Sequence, residues 1–92
     1  MQVNRYFDDQ VLSLSFENAA GTQSVGLMVV GEYTFGTSQD ETMTVVSGAL
    51  TIKREGDSDF ATFKAGESFE VPANQEFQVK VAEPTAYLCH YA

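Results

Sequence analysis

Residues 31–52, GEYTFGTSQDETMTVVSGALTI, alternate apolar and polar side chains on both sides of a polar break. Glu41, Met43 and Val45 share one parity, and Ser47-Gly48 separates them from the next alternating run. Alternation with a period of two around a glycine turn is typical of antiparallel β-strands. If this parity faces the interior, the Glu41 carboxylate lies among apolar side chains, where it needs a partner, water or a proton. The stretch therefore predicts a β-sheet protein that carries one costly interior carboxylate.

The rest of the chain consists of similar short runs. Residues 11–17, 77–81 and 86–92 alternate, and residues 23–35 form one long apolar run. No window places apolar residues at helical spacing over three turns. About eight to ten strands at this spacing are the signature of a sandwich or barrel. We therefore expect one all-β domain over residues 1–92, with 23–35 as a single strand that bulges could bend at Gly26 and Gly31.

Charge and composition exclude several classes of protein. The chain of 92 residues has thirteen acidic and five basic side chains, a net charge of −8. Nucleic-acid binding requires a basic surface that neutralises phosphates, and only Lys53 and Arg54 are adjacent. No apolar run approaches the length of about 18 residues that would span a membrane. The single cysteine allows no internal disulfide, and the first residues lack a signal-peptide pattern, so we expect a cytoplasmic protein.

The apolar run between Val25 and Val30 has apolar residues of both parities. A strand of this kind is covered on both faces, here by the barrel interior on one side and by another sheet or subunit on the other. A small barrel exposes one face of its sheet, so this strand indicates that a second copy covers that face, and we expect a homodimer with no nucleic-acid or membrane partner.

Residues 31–48 resemble the first sequence motif of the cupin superfamily of small β-barrels. Gly31 corresponds to the first glycine of that motif, and Glu41 and Gly48 match its glutamate and final glycine at the right spacing. The histidine pair that ligates a metal in many cupins is missing, because its places fall within residues 34–37, which contain no histidine.

A second stretch resembles the second cupin motif. Gly66 and Pro72 match its glycine and proline, Asn74 stands in place of the next glycine, and Phe77 stands in place of the histidine ligand. The resemblance implies a cupin-type small β-barrel of the jelly-roll kind. With one histidine and one cysteine in the chain, we expect no metal site.

Four segments together resemble one family more closely: GEYTF, ETMTVVSGAL, the spacing from 66 to 72, and VAEPTAYLC. This is the pyrimidine/purine nucleoside phosphorylase family of short, single-domain cupins, and the resemblance extends roughly from residue 6 to residue 91. It implies a dimeric enzyme that splits purine and pyrimidine nucleosides with phosphate into free base and ribose 1-phosphate. Inorganic phosphate is then a co-substrate, and no cofactor is expected.

The implied reaction builds positive charge at the anomeric carbon of the sugar. A carboxylate in a cavity of low dielectric stabilises such charge, so Glu41 is the candidate catalytic residue, although it could equally bind ribose hydroxyls. Aromatic faces suit the base, and tyrosine hydroxyls suit sugar or phosphate. The candidate substrate-binding residues are Tyr33, Phe35, Met43, Phe77, Tyr87 and Tyr91.

The phosphate site is not defined by the sequence. No lysine or arginine falls on the predicted inner face, so backbone amides or hydroxyls of Thr34, Thr37, Ser38 or Ser47 could bind the anion instead.

The same residues also admit purely structural explanations. The aromatic side chains could simply fill the core, Cys89 is predicted to be a small buried apolar residue, and His90 has the opposite parity and faces outward. The rival function is a non-catalytic, metal-free cupin that binds a small molecule or only dimerises.

Overall fold

The computed structural model describes all residues from 1 to 92, and every regular element in it is a β-strand. The prediction of an all-β chain is confirmed. The structure holds no helix that is long and apolar enough to cross a membrane. The strands are β1 (Gln2–Tyr6), β2 (Val11–Asn18), β3 (Gly21–Met28), β4 (Gly31–Gly36), β5 (Glu41–Ser47), β6 (Ala49–Arg54), β7 (Ala61–Lys64), β8 (Ser68–Val71), β9 (Glu76–Val81) and β10 (Thr85–Tyr91).

The strands form two antiparallel sheets. The larger has six strands in the order β1-β2-β3-β10-β5-β8, and the smaller has four in the order β4-β9-β6-β7. No strand ladder joins the two sheets, so the expected barrel has the form of two facing sheets rather than one closed ladder. Because β10 comes last in the chain yet lies inside the larger sheet, its register with β3 and β5 sets the geometry of the interior.

An apolar core fills the space between the two sheets. Met28 and Val45 enter it from the larger sheet, and Leu50, Ile52 and Val79 enter it from the smaller one. All five are almost fully buried. Removing one such side chain from water stabilises the fold by about 1.5–3 kcal/mol, so the facing surfaces hold the sheets together without a connecting ladder.

The predicted single strand over residues 23–35 is wrong. It is interrupted at Val29 and Val30, where the chain leaves the larger sheet after β3 and enters the smaller sheet as β4. The Tyr33 hydroxyl donates a hydrogen bond of 2.7 Å to the carbonyl of Val29 and so ties β4 to this crossing. Periodicity did not reveal the crossing because the residues on both sides of it are apolar.

The predicted bulges at Gly26 and Gly31 are also absent. Gly26 pairs without a shift of register with Ser13 on one side and Tyr87 on the other. A Cβ atom at Gly26 would lie 2.6 Å from the Tyr87 ring, and one at Gly31 would lie 2.8 Å from the Tyr33 hydroxyl. These glycines therefore make room for tyrosine rings rather than bend a strand.

The outer face of the larger sheet carries exposed apolar side chains. Leu12 on β2 lies opposite Leu27 on β3, and Leu14 lies opposite Val25. Leu27 is 59% exposed, and Leu12, Leu14 and Val25 are exposed as well. Val3 on β1 pairs with Leu14 and extends the row. This contiguous apolar face is of the kind that marks an interaction surface.

The turn between β8 and β9 keeps the proline of the second cupin motif at Pro72, although the glycine that follows it in the motif is replaced. Asn74 stands where the motif has glycine, and its φ angle is 62°. Asparagine enters this left-handed region far more readily than most residues with a Cβ atom. The turn is fixed further by Thr37, whose hydroxyl donates to the Pro72 carbonyl at 2.7 Å and accepts from the Gln75 amide at 3.1 Å. The substitution of glycine by asparagine thus keeps Phe77 at the start of β9.

Candidate active site

A cavity of about 360 Å³ lies between the two sheets. Its size falls in the range of about 300–1,000 Å³ that is usual for small-molecule sites. Most of its lining is apolar and aromatic. The lining residues are Tyr6, Phe7, Ser13, Met28, Thr34, Phe35, Gly36, Glu41, Met43, Phe77, Tyr87, Cys89 and Tyr91.

Six of the seven side chains singled out in the sequence line this cavity: Glu41, Phe35, Met43, Phe77, Tyr87 and Tyr91. Tyr33 does not line it. Its side chain is 4% exposed, and its hydroxyl is engaged by the Val29 carbonyl. The structure therefore brings one carboxylate, two phenylalanine rings, one methionine and two tyrosines together, and it leaves Tyr33 in a packing position behind Phe35.

Several lining residues were not expected from the sequence. Cys89 shares the parity of Tyr87 and Tyr91, so strand periodicity could have placed it there. Ser13 faces the cavity because the inward parity of β2 is that of Val11 and Ser13 rather than that of the leucines. Alternation identified the two faces of β2, but nothing in the sequence said which face was interior.

Glu41 lies at the start of β5, where it is paired in register with Tyr91 on β10 and Val71 on β8. The Cys89 thiol donates a hydrogen bond of 3.5 Å to its Oε1 atom. Burial raises the pKa of Glu41 above its usual value, and the bond from Cys89 opposes the shift in part. The carboxylate is thus weakly solvated and has no cationic partner.

The other acidic groups of the cavity stay protonated near neutral pH. Burial raises the pKa of Tyr87 to about 12 and that of the Cys89 thiol to about 12. Burial also raises the pKa of Tyr91, whose hydroxyl lies 2.9 Å from the Ser24 Oγ. Because no lysine, arginine or histidine lines the cavity, Glu41 is its only lining side chain able to carry charge at neutral pH.

An aromatic wall faces this carboxylate across the cavity. The Phe35 and Phe77 rings stack with centroids 5.6 Å apart at an interplanar angle of 28°. Phe77 also contacts Phe69 edge to face at 6.3 Å, which anchors the pair in the core. Phe77 stands in the place of the cupin metal ligand, and there it offers a flat apolar surface.

Of the four residues whose hydroxyls were considered for phosphate, only Thr34 lines the cavity. Thr34 lines the cavity, whereas the Thr37 hydroxyl is held in the turn at Pro72. Arg54 bonds to Asp57 at 3.0 Å and to the carbonyl of Glu70 at 3.0 Å. A phosphate in this cavity would therefore meet neutral donors rather than a fixed cation.

The single histidine of the chain lies outside the cavity. The His90 Nε2 atom is 2.7 Å from the carbonyl of Ala20, in the turn between β2 and β3. Its position on the opposite face of β10 from Cys89 agrees with its parity in the sequence. The structure contains no group of three or more histidine, cysteine, aspartate or glutamate side chains that could hold a metal ion.

Two facing antiparallel sheets around an aromatic cavity with one carboxylate define a small protein of the cupin type. The chain belongs to the pyrimidine/purine nucleoside phosphorylase family, whose sequence profile matches residues 1–91. The pyrimidine/purine nucleoside phosphorylase of Rhodopirellula baltica is 53% identical over 92 residues and covers both chains completely. The family resemblance seen in the sequence is thereby confirmed.

Solved structures agree with this assignment. A protein of unknown function from Vibrio parahaemolyticus superposes with a TM-score of 0.95 at 49% identity, covering 99% of this chain and 97% of its own. The EutQ protein of Clostridium difficile shares the fold alone, with a TM-score of 0.72 at 17% identity over 86% of this chain and 64% of its own. The cupin-type all-β fold predicted from the sequence is confirmed.

The raised pKa of Glu41 predicts a pH-dependent difference in stability between the wild-type chain and Glu41→Gln. The folded-state pKa lies above the ordinary value of 4.5, so the stability this group contributes is complete below that pH and declines as pH rises through the folded pKa. Glutamine does not titrate. The free energy of unfolding of Glu41→Gln, relative to wild type, should therefore increase in denaturant titrations as pH rises above the ordinary pKa of 4.5.

Glu32→Gln, on the exposed side of β4, is the matched control for the loss of one negative charge from an acidic chain. A Glu41→Gln difference that stays constant with pH after this correction would show that the cavity does not desolvate the carboxylate.

Proposed function

We propose that the cavity lined by Glu41 is the site at which this nucleoside phosphorylase splits purine and pyrimidine nucleosides with phosphate. The observation that carries the proposal is the single ionisable carboxylate in an otherwise neutral, largely aromatic cavity. The bond from the anomeric carbon to the base nitrogen breaks, and a bond from that carbon to a phosphate oxygen forms. The proton released by hydrogen phosphate goes to the departing base, so free base and ribose 1-phosphate are produced without a further reactant.

Glu41 is proposed to stabilise the positive charge that builds at the anomeric carbon. Its charge is poorly screened because it is partly buried at a largely apolar cavity, and no cation lines that cavity. An interaction that grows as charge develops lowers the barrier rather than merely holding the substrate. A lysine or arginine beside Glu41 would weaken this effect, which is consistent with the absence of such a residue from the cavity lining.

The aromatic wall is proposed to hold the base. Stacking on Phe35 and Phe77 contributes roughly 1–3 kcal/mol per base and distinguishes poorly among bases, because every base has a π face. Tyr87 and Tyr91 keep their protons near neutral pH, so their hydroxyls can donate to sugar or phosphate oxygens. Met43 packs at the floor, where its flexible side chain suits substrates of different size.

Glu41→Gln should lower kcat/KM for uridine and adenosine on the order of 10²-fold, about 2.7 kcal/mol of transition-state stabilisation. Glutamine keeps the shape of the side chain and removes the charge, so the thermal midpoint should not fall. The measurement is phosphate-dependent release of free base, with Glu32→Gln as the control variant of unchanged activity.

Full activity of Glu41→Gln would contradict the role of Glu41 as charge stabiliser. Loss of activity in Tyr91→Phe would then indicate that the reaction depends on the tyrosine hydroxyl instead. The absence of phosphate-dependent release from several nucleosides by the wild-type chain would favour the non-catalytic binder instead.

Metal-independent catalysis, without any cofactor, is proposed from the residues that occupy the ligand positions of the cupin motifs. Phe77 fills one of them with a ring that is packed against Phe35, and the segment 34–37 supplies no histidine to the others. The same assay should give unchanged rates in EDTA. A loss of activity in EDTA that an added divalent metal restores would overturn this proposal.

A homodimer is proposed from the outer apolar face of the larger sheet. Leu12, Leu14, Val25 and Leu27 form two adjacent cross-strand pairs on one exposed surface, and a second copy of the chain offers a matching surface. An isologous contact of this kind buries the same patch on both subunits.

Leu27→Asp should convert the proposed dimer to a monomer, because it would place an unpaired charge in the centre of an apolar contact. Val30→Asp is the matched control, since Val30 is 58% exposed but lies in the link between the sheets. Sedimentation velocity at micromolar concentration should give a dimer for wild type and Val30→Asp. A 10.1 kDa wild-type monomer would contradict the proposal.

A further inference from the structure

The turn between β1 and β2 has an unusual backbone. Phe7, Asp8 and Asp9 adopt φ angles of 53°, 55° and 66°, all in the left-handed region. This region is unfavourable for a bulky residue such as phenylalanine, and residues held there are concentrated at functional sites. The turn is fastened at both ends: the Gln10 amide donates to the Phe7 carbonyl at 3.1 Å, and the Gln10 carbonyl accepts from the Val29 amide at 3.0 Å.

This backbone holds the Phe7 ring against the aromatic wall of the cavity. Its centroid lies 5.4 Å from that of Phe35, nearly perpendicular at 85°, and 5.0 Å from that of Tyr33. The ring lines the cavity, yet the residue is 42% exposed. A large apolar side chain that is left half in water on an unfavourable backbone is not explained by core packing.

The exposed lining residues mark the open side of the cavity. Tyr6, Phe7, Thr34 and Gly36 are exposed, whereas Met43 and the other floor residues are buried. The Phe7 ring thus stands at the entrance, edge to face with Phe35, and no other phenylalanine lining the cavity is exposed. A base that stacks on Phe35 near this entrance would contact the Phe7 ring.

We propose that Phe7 is a specificity-determining residue that contacts the nucleobase at the cavity entrance, where the Phe7 and Phe35 rings meet edge to face and form an aromatic corner. The inference rests on the proposed use of this cavity as the nucleoside site. The left-handed turn and its bond to Val29 fix the position of the Phe7 ring, which therefore does not depend on the substrate to order it. A purine presents two rings to this corner and a pyrimidine one, so Phe7 contributes more to the binding of adenosine than of uridine.

The test compares variants at the turn in the phosphate-dependent assay. Phe7→Asn removes the ring and keeps the turn, because asparagine tolerates the left-handed region. It should raise KM for adenosine about 10-fold, raise KM for uridine less, and leave kcat within about twofold for both. Asp8→Gly keeps the Phe7 ring and removes the steric cost of the left-handed φ angle at residue 8, because glycine adopts such angles readily. It should therefore leave both KM values unchanged. Phe7→Tyr keeps an aromatic ring at this position and should have the wild-type KM values.

Equal KM values in Phe7→Asn and wild type would overturn the role of Phe7 while leaving the proposed function intact, since wild-type base release is measured in the same experiment. A drop in kcat of equal size for both nucleosides would also overturn it, because that result indicates a structural role. Phe7→Leu keeps apolar packing without a π face and decides the matter if Phe7→Asn is unstable. A wild-type KM for adenosine in Phe7→Leu would refute the contact between the Phe7 ring and the base.

Discussion

The geometry of the cavity depends on the pairing of β10 with a strand on each side. This last strand inserts between β3 and β5, and its register places Tyr91 opposite Glu41 and Cys89 opposite Met43. On the other side it places Tyr87 opposite Gly26, where the missing Cβ atom leaves space for the ring. Backbone hydrogen bonds therefore fix the side chains around the carboxylate, and a shift of one residue would turn all of them outward.

Parity predicted much of the site, because period-two alternation tells which residues share a face once a strand is correctly located. The inward set on β5 and β10 follows directly from Glu41 and Tyr87. Parity failed where both faces were apolar, as at the crossing after Met28, and where the interior face was the polar one, as on β2. The entrance residue Phe7 could not be predicted, since its place depends on a left-handed turn that no periodicity encodes.

Strand β2 turns its serine side chain at position 13 inward and its two leucine side chains outward. Ser13 lines the cavity, while Leu12 and Leu14 point away from the core. A monomer with this pattern exposes apolar surface that water disfavours, and a second copy would remove it from water. In the proposed dimer the strand that lines the site would also be the strand that forms the interface.

The electrostatic character of the cavity follows from how few of its side chains ionise. The chain carries thirteen acidic residues against five basic ones, yet only one carboxylate, that of Glu41, lines the cavity. The tyrosines and the thiol beside it remain neutral donors because burial raises their pKa values. In the proposed site, the stacked Phe35 and Phe77 rings and the neutral donors would distinguish little between bases, whereas the carboxylate would respond to charge at the sugar carbon, which all nucleosides share. This division would allow a chain of 92 residues to act on both purine and pyrimidine nucleosides with one set of side chains.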